Sequence, residues 1–230
     1  MRELCRSILL AAGTAITAAT LAHAHGDVAP QPINTDALPD VGEDWLIENP
    51  YRDMGQDVWD KAIEIGASGF NQNCARCHGL GAISGGLAPD VRFLEAEEYG
   101  DEWFVERFRH GYTQNGITKM PAFGELLGQK AAWAIRTYIE TRPDDVQVSE
   151  RTDELKALRD QLSGWAQGDG IPDPDGMIEE LNAIAGDIET LSGAPVADSV
   201  AYRAARQIDG TSASYKLAAE TLTIGLSAAH

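Results

Sequence analysis

Residues 70–86 read FNQNCARCHGLGAISGG, with Cys74 and Cys77 separated by Ala75 and Arg76 and with His78 directly behind the second cysteine. Three chemistries use such a pair: a redox dithiol, half of a zinc site, and a haem anchor. A thioredoxin-like dithiol opens a helix after a strand, within an α/β pattern. Here the pair follows a helical pattern, and the surrounding sequence shows no strand pairing. A structural zinc site takes four ligands. Beyond Cys74, Cys77 and His78 the best remaining candidate is His110, and there is no second cysteine pair. Cys-Ala-Arg-Cys-His is the attachment pattern of c-type haem. Each thiol adds across one haem vinyl group to give a thioether, and the adjacent imidazole is held beneath the ring, where it can bind iron.

The amino terminus agrees with such a cofactor. MRELCRSILLAAGTAITAATLAHA combines a basic start, an apolar stretch from Ile8 to Leu21 and a small-residue site at Ala22-His23-Ala24. This is the composition of a secretory signal peptide, with cleavage expected after Ala24 and export of the mature chain. The apolar stretch is shorter than the roughly 20 residues of a membrane span, so stable membrane insertion is not expected. Cys5 leaves with the signal, and the two remaining cysteines cannot build a disulfide framework in an oxidising compartment. Cleavage moves the formal net charge from -18 to -19. So acidic a chain avoids nucleic acid and anionic lipid and meets partners through local, salt-sensitive patches.

Residues 25–56 are rich in Pro, Asp and Gly and lack a sustained period. They are expected to form an extended arm docked through Trp45, Leu46 and Tyr51, or a loose tail. Trp59, Ile63, Gly66 and Phe70 then recur at helical steps, with Asp57 placed to cap. DEWFVERFRHG, residues 101–111, predicts a second helix closed by a left-handed Gly111. GELLGQKAAWAIRTYIETRP, residues 124–143, predicts a third, with Leu127, Ala131, Ala134 and Tyr138 on one stripe. The expected fold is all-α, with a haem unit at 57–143. After a polar link, Leu155, Leu158, Leu162 and Trp165, then Met177, Leu181, Ile184, Ile188 and Leu191, form two matching seams. They suggest an antiparallel helical hairpin within an extension at 144–230.

The sixth coordination position of the iron separates an electron carrier from a catalytic or ligand-binding haem. Met1 is cleaved, Met54 lacks a framing motif, and Met177 belongs to an apolar seam. Met120, in the expected loop GITKMPAFGELL, is the candidate distal ligand, stiffened by Pro121; His110 is the rival. A histidine and a methionine close both iron faces and raise the reduction potential. Phe70, Leu80, Leu87, Phe93, Phe108 and Phe123 either line the ring or fill ordinary core. Arg92 is a candidate partner for a haem propionate or a surface arginine. DGIPDPDG, residues 169–176, lacks the EF-hand ligand pattern and is read as a turn with a helix cap. His25, the expected mature terminus, has an amine and an imidazole suited to copper but no second ligand.

The CARCH motif, LAPD at 87–90 and KMPAF at 119–123 together resemble those of class I c-type cytochromes. The resemblance implies a class I cytochrome c fold around one covalent haem c, close crossing of the first and last helices near Gly66 and Phe70, and a carbonyl of Pro89 accepting the second N–H of the proximal His78. HGDVAPQ, NPYR, NQNCARCHGL and SGGLAPDVR are similar, more narrowly, to the PedF-type cytochromes that accompany pyrroloquinoline-quinone (PQQ) alcohol dehydrogenases. That implies a carrier, not an enzyme, taking electrons from the dehydrogenase and passing them to a downstream cytochrome or terminal oxidase. The alternative is an electron-entry haem domain of another oxidoreductase, a peroxidase or a haem-based sensor. Against catalysis stands the lack of an identifiable distal acid or base. The extension has no counterpart in the minimal cytochrome; dimerisation surface, partner dock and stabilising cap are all open.

Overall fold

The computed structural model describes residues 30–197 and 199–227. The signal segment, its cleavage site and His25 lie outside the described residues. Helix α1, Gln56–Asn73, runs into a one-turn helix α2, Ala75–His78; α3 is Glu98–His110 and α4 is Gly124–Glu140. Between α3 and α4 lie β1, Tyr112–Gln114, and β2, Ile117–Met120. Helices α5, Asp145–Glu150, α6, Thr152–Gln167, α7, Pro174–Asp187, α8, Val200–Ala205, and α9, Ser212–Ser227, complete the chain.

Two details of the first helix follow from local chemistry. Asp57 stands in its first turn without a side-chain capping bond, and Gly55 holds the cap position. The expected Asp57 cap is thereby replaced by a favourable charge near the positive helix end. Gly66 sets the distance to α4: a Cβ there would lie 1.9 Å from the Ala134 carbonyl oxygen. With Ala131, Ala132 and Ala134 buried on the facing helix, the two backbones approach closely, and Phe70 packs on Tyr138 at 5.6 Å. Small residues at a crossing permit this contact, and the flanking rings fill the space beside it.

The β-hairpin corrects the expectation of an entirely helical haem unit and of a Met120 loop. Asn115 and Gly116 both have positive φ, +52° and +75°, and join antiparallel strands paired at Gln114 and Ile117. An Asn-Gly pair in this conformation matches the twist of a tight hairpin. Gly111 is likewise not a left-handed cap; its φ of +69° is combined with an extended ψ of −162°. The chain turns at once beneath β2, and a Cβ at Gly111 would lie 2.4 Å from the Met120 carbonyl oxygen.

The arm docks through Tyr51 and Trp45 as expected, with Leu38 added and Leu46 the exception. Leu38 and Tyr51 are buried, Trp45 is half-buried, and Leu46 is exposed. Leu46 is held instead by its backbone, which donates to Gln129 Oε1 at 2.6 Å, while Gln129 Nε2 donates to the Gly42 and Asp44 carbonyls. Beneath the arm lies a charged cluster. Asp101 on α3 accepts from Arg52 of the arm and from Arg136 of α4, both at 2.7 Å, and Glu140 accepts from Arg52 at 2.6 Å. Asn49 Nδ2 donates to Thr137 Oγ1 and Glu140 Oε1. Burial pushes the Glu140 carboxyl up, and the two arginines pull against it.

The extension has its own apolar cluster, built on Leu155, Leu158, Leu162, Met177, Leu181, Ile184 and Leu222. The expected α6–α7 hairpin is corrected: α6 packs chiefly on α9, and α7 on α8. Buried Ala218 and Ala219 let α9 approach α6, and Trp165 meets Tyr215 edge-on at 5.4 Å. Helix α7 ends at Asp187, before Ile188 and Leu191, because Thr190 leaves to form a β-bridge with Pro143. That bridge lies on the seam with the haem unit. Ser192 Oγ donates to the Glu140 carbonyl, Gln56 Nε2 donates to Tyr202 Oη, and Arg206 pairs with Asp60.

Candidate haem centre

Cys74, Cys77 and His78 are gathered within one helical turn, where the Cys77 and His78 amides both donate to the Cys74 carbonyl, at 3.1 and 3.0 Å. Both cysteines are free thiols. Burial, with Cys77 close by, pushes the Cys74 thiol up to about 12. His110 stands at the far end of α3 beside Glu106 and adds nothing to a zinc set. Among the described residues no group of three or more His, Cys, Asp or Glu side chains is placed to hold a metal ion.

The imidazole of His78 is oriented by its own loop. Its Nδ1 lies 2.9 Å from the Pro89 carbonyl oxygen. A carbonyl only accepts, so Nδ1 carries the proton, and Nε2 presents its lone pair with no partner among the described residues. Gly79 makes the return of this loop possible, since a Cβ there would lie 1.8 Å from the Ile83 carbonyl oxygen. Ser84 Oγ donates to the Ala88 carbonyl and accepts from the Gly86 amide, bracing the approach to Pro89.

The apolar candidates divide sharply. Phe70, Phe108 and Phe123 are buried core, with Phe108 and Phe123 packed at 5.8 Å. Leu80 and Leu87 are each 77% exposed and Phe93 65%. Large side chains left bare on the loops that follow the CARCH turn fit a cofactor with an extensive apolar face. Met120, at the end of β2, is half-buried and packs against the same core; Met54 is exposed, and Met177 is buried in the extension. Two thiols and an imidazole with a free lone pair, gathered on one turn, are the groups by which a c-type haem is attached and its iron is bound from one side.

Arg92 is a correction. It is neither a surface arginine nor free for a propionate: it is 4% exposed. Its Nη2 pairs with Asp90 and its Nη1 with Asp145, both at 2.7 Å. Its remaining contacts go to Asp90 through Nε and to the Pro143 carbonyl through Nη1. The loop and the extension meet on this side chain. DGIPDPDG supplies a cap, with Asp173 Oδ1 accepting from the Gly176 amide at the start of α7.

The family described as cytochrome c oxidase, cbb3-type, subunit III matches residues 61–139. The chain is 48% identical over 136 residues to cytochrome c550 of Pseudomonas aeruginosa, covering 59% of this chain and 92% of that protein. It is 32% identical over 85 residues to quinohemoprotein alcohol dehydrogenase ADH-IIG of Pseudomonas putida, covering 37% of this chain but 11% of that protein. It is 27% identical over 142 residues to the cbb3-type cytochrome c oxidase subunit FixP of Rhizobium meliloti, 45% of which is covered. No solved structure matches. With near-complete coverage of cytochrome c550 and a helical fold framing a CARCH turn, the chain belongs to the class I c-type cytochromes, electron carriers built on covalently bound haem c.

Proposed function

We propose that this protein is a periplasmic single-haem carrier that accepts electrons one at a time from a PQQ-dependent alcohol dehydrogenase and delivers them towards a terminal oxidase. Cys74 and Cys77 would hold the haem as thioethers to its two vinyl groups, each sulfur gaining a C–S bond as its proton passes to the neighbouring carbon. His78 Nε2 is the proximal ligand, and the Pro89 carbonyl fixes its tautomer and donor strength. The Met120 thioether would be the second iron ligand, which would leave no position for substrate and favour the reduced state. The bound haem supplies a one-electron redox centre. The observation that carries the reading is the single turn that presents two thiols and an oriented, unpartnered Nε2 together.

One feature supports the donor. Part of the chain is similar to two quinohemoprotein alcohol dehydrogenases, ADH-IIG and ADH IIB of Pseudomonas putida. Among the described residues no helix is long and apolar enough to cross a membrane. The test of the ligand set is Met120→Ala, which should abolish the weak long-wavelength sulfur-to-ferric-iron band, lower the potential and admit carbon monoxide. Persistence of the band in that variant would reject Met120. The test of the partner is the rate of haem reduction by reduced quinoprotein dehydrogenases at increasing ionic strength. The same rate with any reductase supplied would reject the assignment of donor.

A further inference from the structure

The link from the extension to the proximal loop has a direction. Pro89, whose carbonyl accepts from His78 Nδ1, is followed immediately by Asp90. The Asp90 carboxylate accepts from the Arg92 amide at 3.0 Å and from Arg92 Nη2 at 2.7 Å. The buried guanidinium then reaches out of the haem unit to Asp145 Oδ1, at 2.7 Å, in the first turn of α5. A second tie is independent of this one: Arg142 Nε donates to the Gly81 carbonyl at 3.0 Å and its guanidinium lies over Tyr138. The start of the loop thus has a tie at Gly81 that does not pass through Asp145, while the segment carrying the Pro89 carbonyl is held through Asp90 and Arg92.

We propose that Asp145 is a positioning residue for the proximal histidine: by clamping Arg92 from the extension, it holds Asp90 and the adjoining Pro89 carbonyl against His78. The inference rests on the reading of His78 as an axial ligand. An imidazole whose Nδ1–H is held by a well-placed acceptor is a stronger donor and favours ferric iron. Releasing the clamp lets the carbonyl retreat, weakens that donation and raises the reduction potential. The extension is then a support that sets how strongly His78 gives to the metal, in addition to covering one side of the haem unit.

The experiment compares wild-type holoprotein with Asp145→Asn, Asp145→Glu and Asp144→Asn. Asp144 caps α5 by accepting from the Val146 amide and does not touch Arg92. Asparagine preserves such a cap, so Asp144→Asn removes the same charge one residue away. The readouts are solvent exchange of the hyperfine-shifted Nδ1 proton of His78 by NMR and the midpoint potential. Asp145→Asn should speed exchange, because the Nδ1–H loses its well-placed acceptor, and should raise the potential. Asp145→Glu should restore both towards wild type, and Asp144→Asn should speed neither. Unchanged exchange in Asp145→Asn, with a potential shift matched by Asp144→Asn, would reduce the effect to charge and overturn the proposal. Absence of a hyperfine-shifted His78 ring proton from the wild-type spectrum would instead overturn the ligand assignment beneath it.

Discussion

The two apolar cores of this chain are built to different ends. The extension closes on itself: Leu155, Leu162, Leu181 and Leu222 are wholly buried, and the alanines of α8 and α9 fill the gaps between helices. The haem unit buries an aromatic cluster and a network of charges, yet leaves Leu80, Leu87 and Phe93 bare beside the CARCH turn. Both units leave some apolar side chains bare, Ile171 among those of the extension, but Leu80, Leu87 and Phe93 lie together in the chain that follows the haem-attachment motif. Covering them with a porphyrin face would be favourable at roughly 25 cal/mol per Å². Haem attachment would then add to the stability of that unit as well as to its chemistry.

Removing the anchors should break the comparison most visibly. Cys74→Ala with Cys77→Ala should abolish covalent haem and its Soret absorbance, with collapse of hydrogen-exchange protection in α1, α3 and α4. Protection in α6, α7 and α9 should survive; loss throughout would show that the extension depends on the haem unit. Next in size, Asp101→Ala leaves the Arg52 and Arg136 guanidiniums to share Glu140 alone among the carboxylates of the cluster. Stranding buried charges in this way should cost about 3–5 kcal/mol of holoprotein stability in denaturant titrations. Leu162→Ala should cost about 2–5 kcal/mol by opening a cavity in the extension. Its midpoint potential and visible spectrum should remain those of the wild type if the two cores are energetically separate.

The smallest expected effect concerns pH. Burial opposes ionisation of Asp90, but the Arg92 guanidinium and amide, with help from the Ser84 backbone, hold its carboxyl below the usual 3.8. A carboxyl depressed in the folded state stabilises the protein fully above its unfolded pKa and loses that contribution as pH falls through the lower folded value. The stability difference between wild type and Asp90→Asn should therefore be constant from pH 7 to about pH 5 and shrink below 3.8. Thermal melts across that range test the sign; a difference growing on acidification would contradict it.

The parts of this molecule legible in its sequence are those whose cause is local. Two thiols and an imidazole must share a turn to serve one porphyrin, so Cys74, Cys77 and His78 announce themselves, as do the helical steps of Trp59 through Phe70. The Asn115-Gly116 hairpin was equally local; its signal lay between the short runs Tyr112–Gln114 and Ile117–Met120. What the sequence could not disclose was which distant groups would meet. Arg92 has the same composition on a surface, at a propionate or clamped by Asp145, and α6 carries the same seam whether it faces α7 or α9. The tertiary structure decided these matters, because ion pairs and helix partners depend on how closely backbones approach after packing. Gly66 and the small residues of α4 and α9 set that distance only once both helices are in place.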